Sequence, residues 1–114
     1  MKIESYSFGH ITVAGNSYSR DLILLPDRVL ENWWRSSGHD LQPDDLGAVT
    51  GGGIDVLIIG TGAHGAMRVG ARVREWMDRS GIPWEAHPTE EACRRYNRLR
   101  EEGKRAAAAL HLTC

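Results

Sequence analysis

Long apolar runs are missing from this 114-residue chain. No stretch approaches the roughly 20 apolar residues that a helix needs to cross a bilayer, so no membrane span is expected. Cysteine is scarce as well. Cys93 and Cys114 are the only two, which fits a reduced chain better than a disulfide framework. Neither sign of charge dominates, since 14 basic and 15 acidic residues leave a formal net charge of −1. There is therefore no electrostatic case for nucleic acid or an anionic membrane as partner. The opening residues MKIESYSFGH lack the apolar core of a secretory signal, and a cytoplasmic location is expected.

Catalytic and metal signatures are also wanting. The five histidines are His10, His39, His64, His87 and His111. None is paired at i, i+4, and there is no Cys-x-x-Cys, so no metal site is expected. His111 and Cys114 lie three apart, and on a strand they would point to opposite faces. No Gly-x-Ser-x-Gly elbow occurs, and no triad can be assembled. Catalysis and a cofactor are therefore not expected. Cys93 sits beside Arg94 and Arg95, but it also adjoins the apolar positions Ala92, Tyr96 and Leu99. A buried, unreactive thiol is the simpler reading.

The most informative segment that is present is Ile54–Gly65, IDVLIIGTGAHG. Its apolar residues are continuous rather than alternating, which predicts a strand covered on both faces. Gly60 and Gly62 then permit a sharp turn and a close approach of backbone. Gly60 to Gly65 matches G-x-G-x-x-G, and Glu85 follows 20 residues later, where a ribose-binding acid would stand. Against a dinucleotide site, the chain lacks room for a second mononucleotide-binding half. Two readings stay open. One is a structural turn. The other is a small-anion site of backbone N–H groups at Gly60, Thr61 and Gly62, with His64 beside it and Arg68 and Arg35 supplying charge.

Residues 3–25 read as a long β-hairpin. Phe8, Ile11 and Val13 lead to a turn at Ala14–Ser17, and Tyr18 and Leu22–Leu25 follow until Pro26 stops the run. Residues 27–39 are expected to be extended. Leu41–Val49 reads as a short helix, with Pro43 suited to its first turn and Asp44 and Asp45 complementing its dipole. Val69, Val73, Trp76 and Met77 fall at helical spacing, closed by Gly81 and Pro83. Ile82–Ala86 is a short strand. Thr89 can cap a helix that carries Ala92, Tyr96 and Leu99 inward and stops at Gly103. Ala106–Ala109 prefers helix intrinsically, yet it follows that stop and leads into an alternating Leu-His-Leu-Thr. Residues 105–112 are therefore assigned to a strand inside the sheet. The β and α alternation after a leading hairpin predicts a single α/β domain over 1–114, with helices on both sides of a sheet.

Four tryptophans are generous for this length. Trp33-Trp34-Arg35 places an aromatic pair beside a cation, which can anchor a protein partner. Arg94, Arg95, Arg98, Arg100, Lys104 and Arg105 interleave with glutamates and read as a solvated, ion-paired helix face.

With these residues laid out, the chain resembles a small α/β family of unknown function. Archaeal hypothetical proteins typify that family, and it includes a mitochondrial complex I assembly factor and an adipogenesis-associated protein. The resemblance is carried by Tyr6, Phe8-Gly9, Ile11-Thr12-Val13, Asp21, Trp34, His39, Leu57–Gly62 and Thr89. It continues through Tyr96-Asn97, Glu102-Gly103 and the ending Ala108–Cys114. It implies a three-layer α/β fold, with a small mixed central sheet, flanking helices and an antiparallel β-hairpin set apart. It carries no catalytic residues over. Its eukaryotic members point to a non-enzymatic accessory or scaffold role with a protein partner. Weak self-association, as a homodimer, is a further expectation, because a hairpin set off from the main sheet exposes strand edges.

Overall fold

The alanine run at 106–109 decides the architecture. In the computed structural model, which describes residues 1–51 and 53–114, it is a strand at the centre of the main sheet. The elements in chain order are β1 (Ile3–Ser7), β2 (His10–Val13), β3 (Asn16–Tyr18), β4 (Leu22–Leu25), β5 (Arg28–Leu30) and β6 (Asp40–Leu41). A 3-10 segment follows at Pro43–Gly51, then β7 (Val56–Thr61), β8 (Arg68–Val69), α1 (Ala71–Ser80), β9 (Trp84–His87), α2 (Thr89–Glu101) and β10 (Ala106–His111). The central sheet has the order β5-β4-β10-β7-β9. β10 runs parallel to β7, from Ala106 beside Val56 to His111 beside Thr61, and antiparallel to β4. The sheet is therefore mixed, with the strand that comes last in sequence in its middle.

Side-chain alternation sends successive residues to opposite faces. Leu22, Leu24, Ile58, Ala108 and Leu110 join one core with Ala92, Cys93, Tyr96 and Leu99 of α2 and with Ile3, Ile11 and Val13. Ile23, Leu57, Ile59, Ala107 and Ala109 join the other core with Leu46, Val49, Val73 and Met77. Three layers result, and β10 is buried on both of its faces. Alanine suits that position because the layers approach closely over it. The fully buried Tyr96 belongs to the same core as Ala106 and Ala108.

The antiparallel part differs from the single hairpin expected for residues 3–25. β1, β2 and β3 form a three-stranded antiparallel sheet. Leu22–Leu25 crosses instead into the central sheet, because all four residues are apolar and find cover on both faces only there. The tight turn falls at Ala14 and Gly15, both in the left-handed region at φ 49° and 84°. At one residue, Ile3, the edge of β1 is met within the chain. The Asn97 side chain accepts from the Ile3 N–H at 2.9 Å and donates to the Ile3 carbonyl at 2.7 Å. It thus does for one residue what a neighbouring strand would.

Two local expectations need correction. The helix expected at Leu41–Val49 is a kinked 3-10 segment, with Leu41 spent in β6. α1 begins at Ala71, because Val69 pairs with Leu41 in the short parallel β6–β8 ladder. The strand expected at 105–112 is present as β10.

The packing over β10 leads to a direct test. Ala108→Leu is expected to lower unfolding stability by about 1–3 kcal/mol through overpacking. Ala71→Leu, at an exposed helix start, should change it by less than about 0.5 kcal/mol. Urea midpoints of the two variants check this.

Candidate functional site

β7 and β10 end side by side, and the groups just beyond them converge on one carboxylate. Asp21 precedes β4 and faces the end of β10. Its Oδ1 accepts the Leu112 N–H at 2.8 Å. Its Oδ2 lies 2.8 Å from His111 Nδ1 and 2.8 Å from Arg35 Nη2. Its backbone carbonyl accepts the Trp33 N–H at 2.8 Å. Asp21 thereby ties the end of the central strand to the Asn32–His39 segment.

Arg35 is buried, with only 4% of its side chain exposed. Its guanidinium lies 4.5 Å from the centre of the Trp33 ring, a cation–π placement. Nη2 also reaches the Gly38 carbonyl at 3.2 Å and stands 3.0 Å from His111 Nδ1. A guanidinium can only donate and a carboxylate can only accept. The carboxylate 2.8 Å from His111 Nδ1 therefore assigns the hydrogen to that nitrogen, and Arg35 serves Asp21 rather than the ring. Three polar atoms of this cluster are buried without a partner among the described residues: Arg35 Nε, Arg35 Nη1 and His111 Nε2. The His39 ring stands edge-on to His111, with centres 5.8 Å apart. Burial of Asp21 opposes its charge. The hydrogen bonds from His111, Leu112 and Arg35 outweigh burial and hold its carboxyl below the ordinary 3.8.

Thr89 is the second joint. It was expected to cap α2, but the cap position is Pro88 and Thr89 caps nothing with its side chain. Its fully buried hydroxyl accepts the Gly62 N–H at 2.8 Å and donates to the His111 carbonyl at 2.5 Å. Its own N–H donates to the Gly62 carbonyl at 3.0 Å.

The sequence leaves the glycine turn open between a structural turn and a small-anion site, and in the structure the amides that follow Gly62 are paired within the chain. Ala63 N–H donates to the Thr113 carbonyl at 2.8 Å, and the His64 and Ala66 N–H groups donate to the Cys114 oxygen at 3.3 and 3.0 Å. Gly65 N–H returns to the Gly62 carbonyl at 3.2 Å. Gly62 has φ 107°, and a Cβ there would fall 2.4 Å from the Cys114 carbonyl carbon. At Gly60 a Cβ would meet the Leu110 and Thr89 side chains at 2.9 Å. Both glycines are required by the close approach of the chain's own residues.

The other residues singled out from the sequence divide between this edge and elsewhere. The Thr61 hydroxyl donates to the His87 carbonyl at 3.1 Å. His64 is exposed beside Phe8, with ring centres 6.3 Å apart. Arg68 is exposed and paired loosely with Asp40 at 3.7 Å, so Arg68 and Arg35 take different carboxylates. Trp33 is half-buried, and its indole N–H donates to the Asp45 carbonyl at 2.9 Å. Trp34 is 79% exposed. The two tryptophans line an open cleft of about 590 Å³ together with Arg20, Asp21 and Asn32, and Asn32 itself has φ 56°. Glu85 is held bidentately by Arg95 at 2.8 and 3.0 Å and is touched by His87 at 2.9 Å. It is an ion-pair residue in this structure. Burial pushes the Cys93 thiol up to about 12, as an unreactive cysteine requires. Among the described residues no group of three or more His, Cys, Asp or Glu could hold a metal.

Sequence reasoning missed the chemical weight of Asp21, Thr89 and His111. Their signal was polarity out of place: one carboxylate against an apolar run, and one histidine inside a strand otherwise built of alanine and leucine.

The chain belongs to the family described as "Protein of unknown function (DUF498/DUF598)", which it matches over residues 3–111. Zebrafish (Danio rerio) NADH dehydrogenase (ubiquinone) 1 alpha subcomplex assembly factor 3 is 34% identical over 110 residues, covering 95% of this chain and 62% of that protein. The human protein of the same name is 30% identical over 112 residues, covering 96% of this chain and 60% of its own length. The chain thus spans about three fifths of the curated relatives it matches. Among solved structures, the conserved hypothetical protein PH1505 from Pyrococcus horikoshii superposes with a TM-score of 0.84 at 27% identity, covering 100% of both chains.

The Asp21 geometry has a measurable consequence. Asp21→Asn leaves the Arg35 guanidinium buried without its counter-charge and is expected to cost about 3 kcal/mol near neutral pH. A carboxyl held below its unfolded value stabilises the fold above that value, and loses its effect as pH falls through the lower one. The gap between wild type and variant should therefore stay constant above about pH 5 and close below about pH 4. Denaturant titrations across pH 2–7 measure it, and a gap unchanged down to pH 2 contradicts the ion pair's role.

Proposed function

We propose that this chain is a non-catalytic accessory domain that binds a protein partner in the manner of an assembly factor, using the aromatic edge around Trp33 and Trp34. The observation that carries the reading is the mounting of Trp34. A tryptophan 79% exposed follows one whose ring is fixed by Asp45 and stacked on a buried arginine. Tryptophan is enriched among residues that dominate interfaces. A rigid mount removes part of the ordering cost of association. The Asp21–Arg35 pair supplies that mount, which accounts for a buried charge in a domain of this size. Phe8 is the other exposed large hydrophobic among the described residues, 58% exposed.

The relatives named as complex I assembly factors support the partner-binding class, though not the identity of the partner. No helix among the described residues is long and apolar enough to cross a membrane. The turn at Gly60–Gly62 contributes to this reading as a scaffold: it fixes the end of β10, to which Asp21 and hence the tryptophan segment are tied.

The test compares affinity capture from native lysate by the wild type and by Trp34→Ala. Because Trp34 is exposed, the variant should melt as the wild type does, with stability changed by less than about 0.5 kcal/mol. A specific partner should be enriched by the wild type and depleted at least ten-fold by the variant. Identical capture by both removes the tryptophan edge as the docking surface.

A further inference from the structure

The outer edge of β9 is half of a strand ladder. We propose that it pairs with the same edge of a second copy of this chain, antiparallel and centred on Trp84, so that two central sheets join into one.

β9 is the last strand of the central sheet and pairs on one side only, with β7. The Pro83 carbonyl accepts the Leu57 N–H at 2.9 Å, and the His87 carbonyl accepts the Thr61 hydroxyl at 3.1 Å. Pro83, Glu85 and His87 therefore turn their main-chain groups inward to β7. Trp84 and Ala86, with Ile82 just before them, turn theirs outward, because these directions alternate along a strand. Pro83, which has no N–H, falls in the inward set, so the outward row keeps every donor and acceptor. An open edge of this kind is a template for another strand, and charged side chains are the usual guard against it. No outward residue here is charged. The opposite edge strand, β5, opens instead with the exposed Arg28.

The side chains beside this edge are apolar. Trp76, Ile82, Trp84 and Ala86 are half-buried against the core that holds Val73 and Met77. A strand laid along β9 would carry that core across the junction.

A second copy fits the edge because the edge is complementary to itself. With the two-fold axis at Trp84, the outward groups of Ile82, Trp84 and Ala86 meet those of Ala86, Trp84 and Ile82 in the second copy. This is the isologous pairing of a symmetric dimer. Trp84 then lies against Trp84, and Ile82 against Ala86. On the other face Glu85, already held by Arg95 and His87, stands opposite Pro83. An axis at Glu85 would oppose two carboxylates, which is unfavourable, and would leave Ile82 unused. Charges of both signs flank the axis: the Arg74 guanidinium lies 5.3 Å from the centre of the Trp84 ring, and Asp78 Oδ1 lies 3.4 Å from its indole nitrogen.

The dimer edge stands apart from Trp33 and Trp34, which follow β5 at the other side of the sheet, and the test separates the two. Sedimentation equilibrium and amide hydrogen exchange are measured from micromolar to millimolar protein on the wild type, Trp34→Ala and Ala86→Pro. The wild-type mass should rise from the 12.7 kDa of one chain toward twice that value. The Trp84 and Ala86 amides should exchange about ten-fold more slowly at the highest concentration, while the Glu85 amide, which faces β7, does not change. Trp34→Ala should associate as the wild type does. Ala86→Pro loses an outward N–H, a change that edge strands tolerate, and should associate about ten-fold more weakly. A wild-type mass that stays at one chain up to millimolar protein overturns the proposal. So does a dimer in which exchange at Trp84 and Ala86 is unaltered, since it forms through another surface. If Ala86→Pro does not fold, the wild-type exchange pattern decides.

Discussion

Ala106–His111 has a strand on each edge and a packed layer on each face, and the rest of the molecule is arranged around that constraint. A strand so enclosed cannot hydrogen-bond to water and cannot carry a large side chain where the layers meet. Pairing with β4 and β7 answers the first demand, and four alanines answer the second. Their small volume lets α2 bring Tyr96 over one face while Val73 and Met77 of α1 close over the other. Because β10 separates β4 from β7, neither half of the sheet is complete until this late segment is inserted between them. Most of the sheet's contacts are therefore long-range in sequence, the kind that forms slowly in folding.

The same strand delivers the polar joint. Where β10 emerges, its last groups are gathered by Asp21, Thr89, Tyr6 and the glycine loop. A carboxylate, a guanidinium and an imidazole meet there, with three polar atoms left unpartnered among the described residues. A half-satisfied buried cluster costs stability. The cluster ties the end of β10 to the segment that carries Trp33 and Trp34.

Much of the architecture was legible in the sequence because burial leaves a pattern. The continuous apolar run at Val56–Ile59 announced a strand covered on both faces, and the stop at Gly103 outweighed the helical propensity of the alanines. The hairpin over 3–25 was misjudged because Ser19-Arg20-Asp21 carries no glycine or proline to mark the crossing between sheets. Thr89 looked like a cap because capping and long-range bonding use the same hydroxyl. The polar joint was hidden for a plainer reason. Arg35 and His111 stand 76 residues apart, and no local period links them. The glycines were correctly read as requiring close approach, but only the fold shows that the approaching backbone belongs to Thr113 and Cys114.

If β10 is the keystone, it must be as hard to open as the whole domain. Native-state hydrogen exchange measures this residue by residue. The account predicts that the amides from Ala107 to Leu112 exchange only through global unfolding, with opening free energies within about 1 kcal/mol of the denaturant value. Exchange of these amides through a lower-energy local opening, while β4 and β7 stay protected, would contradict it.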